Sequence, residues 1–284
     1  MLNNKLDSLI ALLDDPDNSV FEIVLEEILK ENIAVVDQLE HIWEISMDDL
    51  VQKRIEYIIQ KIQLKDTKEK IKDWSNKKTL DLFEGMFLIA RYHYPELKLK
   101  PVKTQLENIR KDIWLEFRNS LSSLEKITIL NHIFFDHYRF RVDGKNPGMP
   151  KLCYINSILD SRKGNPVSIA ILYALVARSL NLPVYYIDFK SNPLVGFFES
   201  EITETEKENA VLFYINPSNK GAIIGPKEID YILHTSNTEE QYMLTQACPD
   251  RTVIKRLLET LIHDYNQTGA SGTAIYLSEI ADLL

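Results

Sequence analysis

The stretch from Asn165 to Pro183 constrains this chain more than any other. Asn165 is a strong helix cap, and Pro166 suits the first helical position, where no backbone N–H is required. Ile169, Leu172, Tyr173, Val176 and Leu180 then recur at helical spacing and make one buried stripe. Asn181 tolerates the left-handed conformation that ends a helix, and Pro183 prevents continuation. Apolar runs follow at 184–189, 194–198 and 210–215, with a brief one at 222–224. They are too short for helices and read as the strands of a meander. The acidic run 199–209 reads as a solvated hairpin loop.

The frame around this unit reads as helical. The chain has 9 Gly and 11 Pro in 284 residues, roughly 7% against an average near 12%. That scarcity excludes an all-β sandwich or barrel and leaves little material for Gly-rich phosphate loops. The one dense turn cluster is Asp143-Gly144-Lys145-Asn146-Pro147-Gly148-Met149-Pro150, which marks an irregular loop. Over residues 1–64, apolar spacing predicts four helices in two hairpins of HEAT-like pattern, with Asn18 or Ser19 capping the second helix. Residues 65–135 continue as a helical lead-in, with Thr79 as one cap and Ser122 with Glu125 framing a capping box. Lys98, Lys100 and Lys103 form a short basic cluster that reads as a solvated face. Residues 136–234 hold the helix and meander, including a further helix at 226–233, and 235–284 return to a TPR-like helix pair. The fold class is α+β, predominantly helical.

Charge and cysteine usage narrow the function classes. Lys and Arg total 33 against 42 Asp and Glu, a net charge of −9, with a pI near 5.3. A nucleic-acid partner is not expected, because binding needs a basic stripe that releases phosphate counterions. No apolar run approaches the roughly 20 residues that span a bilayer, so no membrane association is expected. The opening residues lack the basic start and apolar stretch of a signal peptide. Cys153 and Cys248 have neither Cys nor His at metal spacing, so the expectation is a cytoplasmic protein with no metal and no cofactor.

The segment Tyr154-Ile155-Asn156-Ser157-Ile158-Leu159-Asp160-Ser161-Arg162-Lys163-Gly164-Asn165-Pro166-Val167-Ser168-Ile169 resembles the SirB1 family, which is transglutaminase-like. The features that carry it are the pair Asn156-Ser157, then Arg162, then Gly164, Pro166 and Ser168 opening a long helix. Leu182-Pro183-Val184, Tyr214-Ile215-Asn216-Pro217, Asp81-Leu82-Phe83-Glu84-Gly85 and Ala90-Arg91-Tyr92-His93-Tyr94-Pro95 extend the resemblance over nearly the whole chain. It implies a transglutaminase-like core between HEAT-like and TPR-like helices.

Transglutaminase chemistry needs a Cys at a helix N-terminus, a His on a neighbouring strand and an Asp or Asn on the next. The resemblance places these positions at Pro166, Asn192 and Asn216. Proline has no nucleophile, and Asn192 cannot act as a base. Pro at the first position is usual in the SirB1 family, whereas Asn192 departs from relatives that keep a His. The expectation is therefore a degenerate triad in a non-catalytic protein that binds a protein or peptide. Asn156, Arg162, Asn165 and Ser168 are the candidate cleft residues, with Arg162 as a candidate anion binder beside the helix start. The competing class is a cysteine or serine hydrolase or acyl-transferase with relocated residues. Its candidates are Ser168, or Cys153 with His137 as base.

Overall fold

Apolar spacing and acidic caps cut the first part of the chain into helices. In the computed structural model, which describes residues 2–31, 33–189, 193–200, 211–225, 228–229, 231, 234 and 246–284, the chain divides into units at 1–72 and 73–284. The first unit contains α1 (Leu2–Ile10), α2 (Asn18–Ile28), α3 (Val35–Ile45) and most of α4 (Asp49–Ser75). Leu13, Ile28, Leu39, Ile55 and Ile58 form its fully buried core. The cap of α2 is Asp17, whose carboxylate accepts from Ser19 N at 2.8 Å, one position ahead of the two caps expected from the sequence. Asn18 is occupied otherwise: its amide oxygen accepts from Arg54 Nη2 at 3.3 Å. Arg54 is 5% exposed, lies 4.7 Å from the Phe21 ring centroid and donates to Leu13 O at 3.0 Å. A buried guanidinium is tolerated there because carbonyl, amide and aromatic partners answer its charge.

The second unit carries the core. Its leading helices are α5 (Leu82–His93), α6 (Leu99–Glu116) and α7 (Ser123–Asn131). Asp81, and not Thr79, caps α5 by accepting from Phe83 N at 2.9 Å. At α7 the expected capping box is present: Ser122 N donates to Glu125 Oε2 at 2.8 Å, and Glu125 N donates back to Ser122 Oγ at 3.3 Å. A π-helical turn, His132–His137, continues α7. Strand β1 (Arg141–Val142) then pairs in parallel with β2 (Lys163–Gly164) across the turn cluster and α8 (Ile155–Ser161).

Helix α9 (Pro166–Ser179) follows β2 directly and is the centre of this unit. Residues Ile169 to Tyr173 are all 0% exposed, so α9 is apolar on every side in its middle, as a helix packed all round must be. It ends as the sequence predicts, with Asn181 at φ 58°. Strands β3 (Val184–Ile187), β4 (Leu194–Phe198), β5 (Val211–Asn216) and β6 (Ala222–Ile224) form one antiparallel sheet in sequence order. Val184 pairs with Phe197, Val195 with Ile215 and Tyr214 with Ile224. Helix α9 packs on β3 and β4, on α6, on the 3-10 turn Pro217–Asn219, and on α10 (Asp250–Gln267), which pairs with α11 (Ser271–Ala281). The expected helix at 226–233 and loop at 199–209 fall mostly outside the described residues.

One polar relay ties these layers together. Tyr173 Oη, at mid-α9, donates to Asn131 Oδ1 at 2.7 Å, and Asn131 Nδ2 donates to Gly221 O at 2.8 Å. Gly221 has φ +72°, and a Cβ there would lie 2.1 Å from Asn131 Oδ1. Gly221→Ala is expected to destabilise the protein by about 1–3 kcal/mol through backbone strain and loss of the relay. Urea denaturation of the two proteins checks this, with an unchanged midpoint as the contrary result.

Candidate functional site

The start of α9 is a closed polar knot. Asn165 Oδ1 accepts from Ser168 N at 2.8 Å, and Asn165 N donates to Ser168 Oγ at 3.0 Å. This is a reciprocal capping box in which Ser takes the place of the usual Glu or Gln. The Ser168 hydroxyl also donates to Leu152 O at 2.6 Å, and its side chain is 0% exposed. Pro166 supplies the first residue of the helix, half-buried, with no N–H to satisfy. Gly164 is explained by the same knot, because a Cβ there would lie 2.5 Å from Ser168 Oγ. The ribbon bond from Asp143 N to Gly164 O, 2.9 Å, fixes the approach of the chain. Gly164-x-Pro166-x-Ser168 is thus a local folding instruction: space, helix start, cap.

A second polar group adjoins it. Asn165 Nδ2 donates to Cys153 Sγ at 3.0 Å, and the Cys153 thiol faces Asp264 Oδ2 at 3.8 Å. The sulfur at this helix start therefore comes from the preceding loop and not from position 166. Cys153 is 1% exposed and Asp264 4%. Burial pushes the Cys153 thiol well above its ordinary range and nearby Asp264 adds to the rise, while the Asn165 amide opposes it. Burial likewise raises the Asp264 carboxyl. The next residue, Tyr154, places its hydroxyl 2.9 Å from Tyr265 Oη, which lies 3.1 Å from His93 Nδ1. The His93 ring stacks on Tyr154 at 4.8 Å, and the hydration it loses lowers its pKa. The sequence does carry a signal for Asp264: it continues the apolar stripe Val253, Leu257, Leu261 of α10, where a carboxylate is out of place.

The other sequence-predicted residues separate into local roles. Asn216 caps the 3-10 turn that packs on α9, accepting from Ser218 N at 3.0 Å and Asn219 N at 3.3 Å. Asn192 lies outside the described residues. Arg162 is the left-handed cap residue of α8, with φ 61°. Its guanidinium lies 5.3 Å from the Tyr138 ring centroid and 5.0 Å from that of Phe140, and it is Asn165 that satisfies the Ser168 N–H. Asn156 sits in the first turn of α8. His137 is exposed at the end of the π turn with its ring against Tyr138, whereas the buried Cys153 sulfur meets Asn165 and Asp264. Cys248 is half-buried, and burial together with Asp188 and Asp250 pushes its thiol up to about 12. Among the described residues, no group of three His, Cys, Asp or Glu side chains is placed to hold a metal ion, and no helix is long and apolar enough to cross a membrane.

Comparison with known proteins adds a family and a set of distant relatives. The family model described as the transglutaminase-like superfamily matches residues 100–259. A UPF0162 protein of Pasteurella multocida is 29% identical over 102 residues, 36% of this chain and 35% of that protein. The F-box only protein 21 of Homo sapiens is 22% identical over 227 residues, 70% of this chain and 35% of that protein. A UPF0162 protein of Xylella fastidiosa strain Temecula1 is 24% identical over 206 residues, 69% of this chain and 70% of that protein. The chain spans about a third of the length of the first two of these relatives. No solved structure matches.

Two outcomes follow from the knot. Asn165→Ala is expected to lower stability by about 1–2 kcal/mol, since it removes the cap acceptor and leaves the buried Ser168 N–H unpaired; equilibrium unfolding measures it. Asp264 behaves oppositely. Its folded-state pKa is raised, so the folded protein holds the proton more tightly, and the carboxyl subtracts stability as pH rises through the ordinary carboxylate range to the folded value. Asp264→Asn should raise the melting temperature at neutral pH, with the gain shrinking under acid. A gain that grows as pH falls would contradict the raised pKa.

Proposed function

We propose that this chain, which belongs to the transglutaminase-like superfamily, is a SirB1-type member that keeps the fold without the chemistry and serves as a cytoplasmic protein- or peptide-binding module. One observation carries the reading. At the helix start, where family chemistry requires a thiol, the chain has Pro166, and the neighbouring hydroxyl of Ser168 is fully buried and donates to a main-chain carbonyl. A serine nucleophile requires an adjacent base and an open approach, and Ser168 has neither among its bonded partners. The helices that precede the core in sequence, read as HEAT-like, and those that follow it, read as TPR-like, suit the recognition of a polypeptide. The match to a third of a much longer human protein supports a portable unit.

A second reading has a specific observation in its favour: the Cys153 sulfur lies within 3.8 Å of the Asp264 carboxylate, close to the start of α9. That pair would be the relocated centre of a cysteine hydrolase or acyl-transferase. Burial works against it, because it disfavours the thiolate that must attack.

Alkylation of the native protein by a thiol-directed electrophile separates the two. The expected result is that Cys153 reacts far more slowly than free cysteine at neutral pH and reaches full reactivity only on unfolding. Rapid stoichiometric modification of Cys153 in the folded protein, lost in Asp264→Asn, would establish the enzyme reading instead.

A further inference from the structure

A cavity of about 410 Å³ lies between α5, α6 and α9. It is at the far end of α9 from the capping box, about 15 Å along the helix axis. One side is a single stripe of α6, with Lys103, Leu106, Glu107 and Arg110 at the spacing that puts side chains on one helix face. Facing it are Val176 of α9 and Phe83 of α5. The volume is within the range of small-molecule sites, roughly 300–1,000 Å³.

The charges around this cavity are almost all answered within the protein. Arg178 is forked onto Asp250 at 2.6 and 3.0 Å. Arg110 pairs with Glu107 at 2.8 Å. Asp81 accepts from the first N–H groups of α5. Of the three lining cations, Arg110 and Arg178 are thus paired, and Lys103, exposed on α6, is the one without an ion pair among the described residues. The cavity therefore combines an apolar wall of Leu80, Leu82, Phe83, Leu106, Leu175 and Val176 with one cation, Lys103, that no carboxylate of the described residues answers.

We infer that this cavity binds a small amphiphile with an aliphatic or aromatic body and a single anionic head group, a carboxylate meeting Lys103 while the body lies against Leu106, Val176 and Phe83. A cationic amphiphile would bring a second positive charge to Lys103, and a neutral one would leave the ammonium without a partner. The site is separate from the start of α9, so it holds whether or not that region is catalytic.

Isothermal titration of the full chain with decanoate, decanol and decylammonium tests the inference. Decanoate is expected to bind at one site, with decanol weaker and decylammonium weakest. Lys103→Glu should weaken decanoate by about tenfold or more through loss of a charge-assisted contact. Lys100→Glu makes the same change in net charge on the same helix, outside the cavity lining, and should leave binding within about twofold of the parent. Leu175→Trp, which fills the cavity from α9, should abolish binding, with an unchanged circular dichroism spectrum showing that the fold is intact. Equal binding of decanoate and decanol, equal effects of Lys103→Glu and Lys100→Glu, or full binding by a folded Leu175→Trp protein would each overturn it.

Discussion

The reciprocal bonds between Asn165 and Ser168 are the contact on which the second unit depends. They end the β2 strand, begin the buried helix and, through Ser168 Oγ to Leu152 O and Asn165 Nδ2 to Cys153 Sγ, join the helix start to the loop before α8. Helix α9 is buried along most of its length, so its unpaired first-turn N–H groups cannot rely on water. A buried end without partners would cost about 1–3 kcal/mol per group, and the knot supplies a side-chain acceptor three positions away for Ser168 N and for Asn165 N. Everything the helix carries, the sheet on one side and α6 and α10 on the others, is placed by where that end is fixed.

This changes what the motif means chemically. Gly164, Pro166 and Ser168 each have a packing reason: clearance for a hydroxyl, a helix start without an N–H, and the partner of the Asn165 cap. The buried Ser168 hydroxyl accepts from Asn165 N and donates to Leu152 O, so both of its bonds go to the main chain. The same economy governs Cys153. It is held by an amide and faces a carboxylate in a site that water barely reaches, so its neutral form is favoured. The polar cluster continues outward through Tyr154, Tyr265 and His93, and its members satisfy one another.

Local signals in the sequence were legible and long-range ones were not. The four strands, the limits of α9, the Asn181 turn and the Ser122–Glu125 box each depend on residues within a few positions of one another, which spacing reveals. The caps of α2 and α5 were displaced to Asp17 and Asp81 because several capping residues compete in each stretch and only packing selects one. The π turn at 132–137 inherits the apolar spacing of α7 and has no separate signature. At the candidate site, Asn165 and Ser168 were readable as a helix start, but the Cys153–Asp264 contact joins residues 111 positions apart. Arg162 precedes α9 by only four residues in sequence, yet a left-handed backbone and two aromatic rings give its side chain a different place.

A double-mutant cycle on Asn165→Ala and Ser168→Ala measures how far the two side chains act as one cap. If the two side chains form one reciprocal cap, each substitution removes much of what the other contributes, and equilibrium unfolding should give a coupling energy of about 0.5–3 kcal/mol. If the substitutions add to within about 0.3 kcal/mol, the side chains act independently, the start of α9 is not closed on itself, and Ser168 is available for other chemistry.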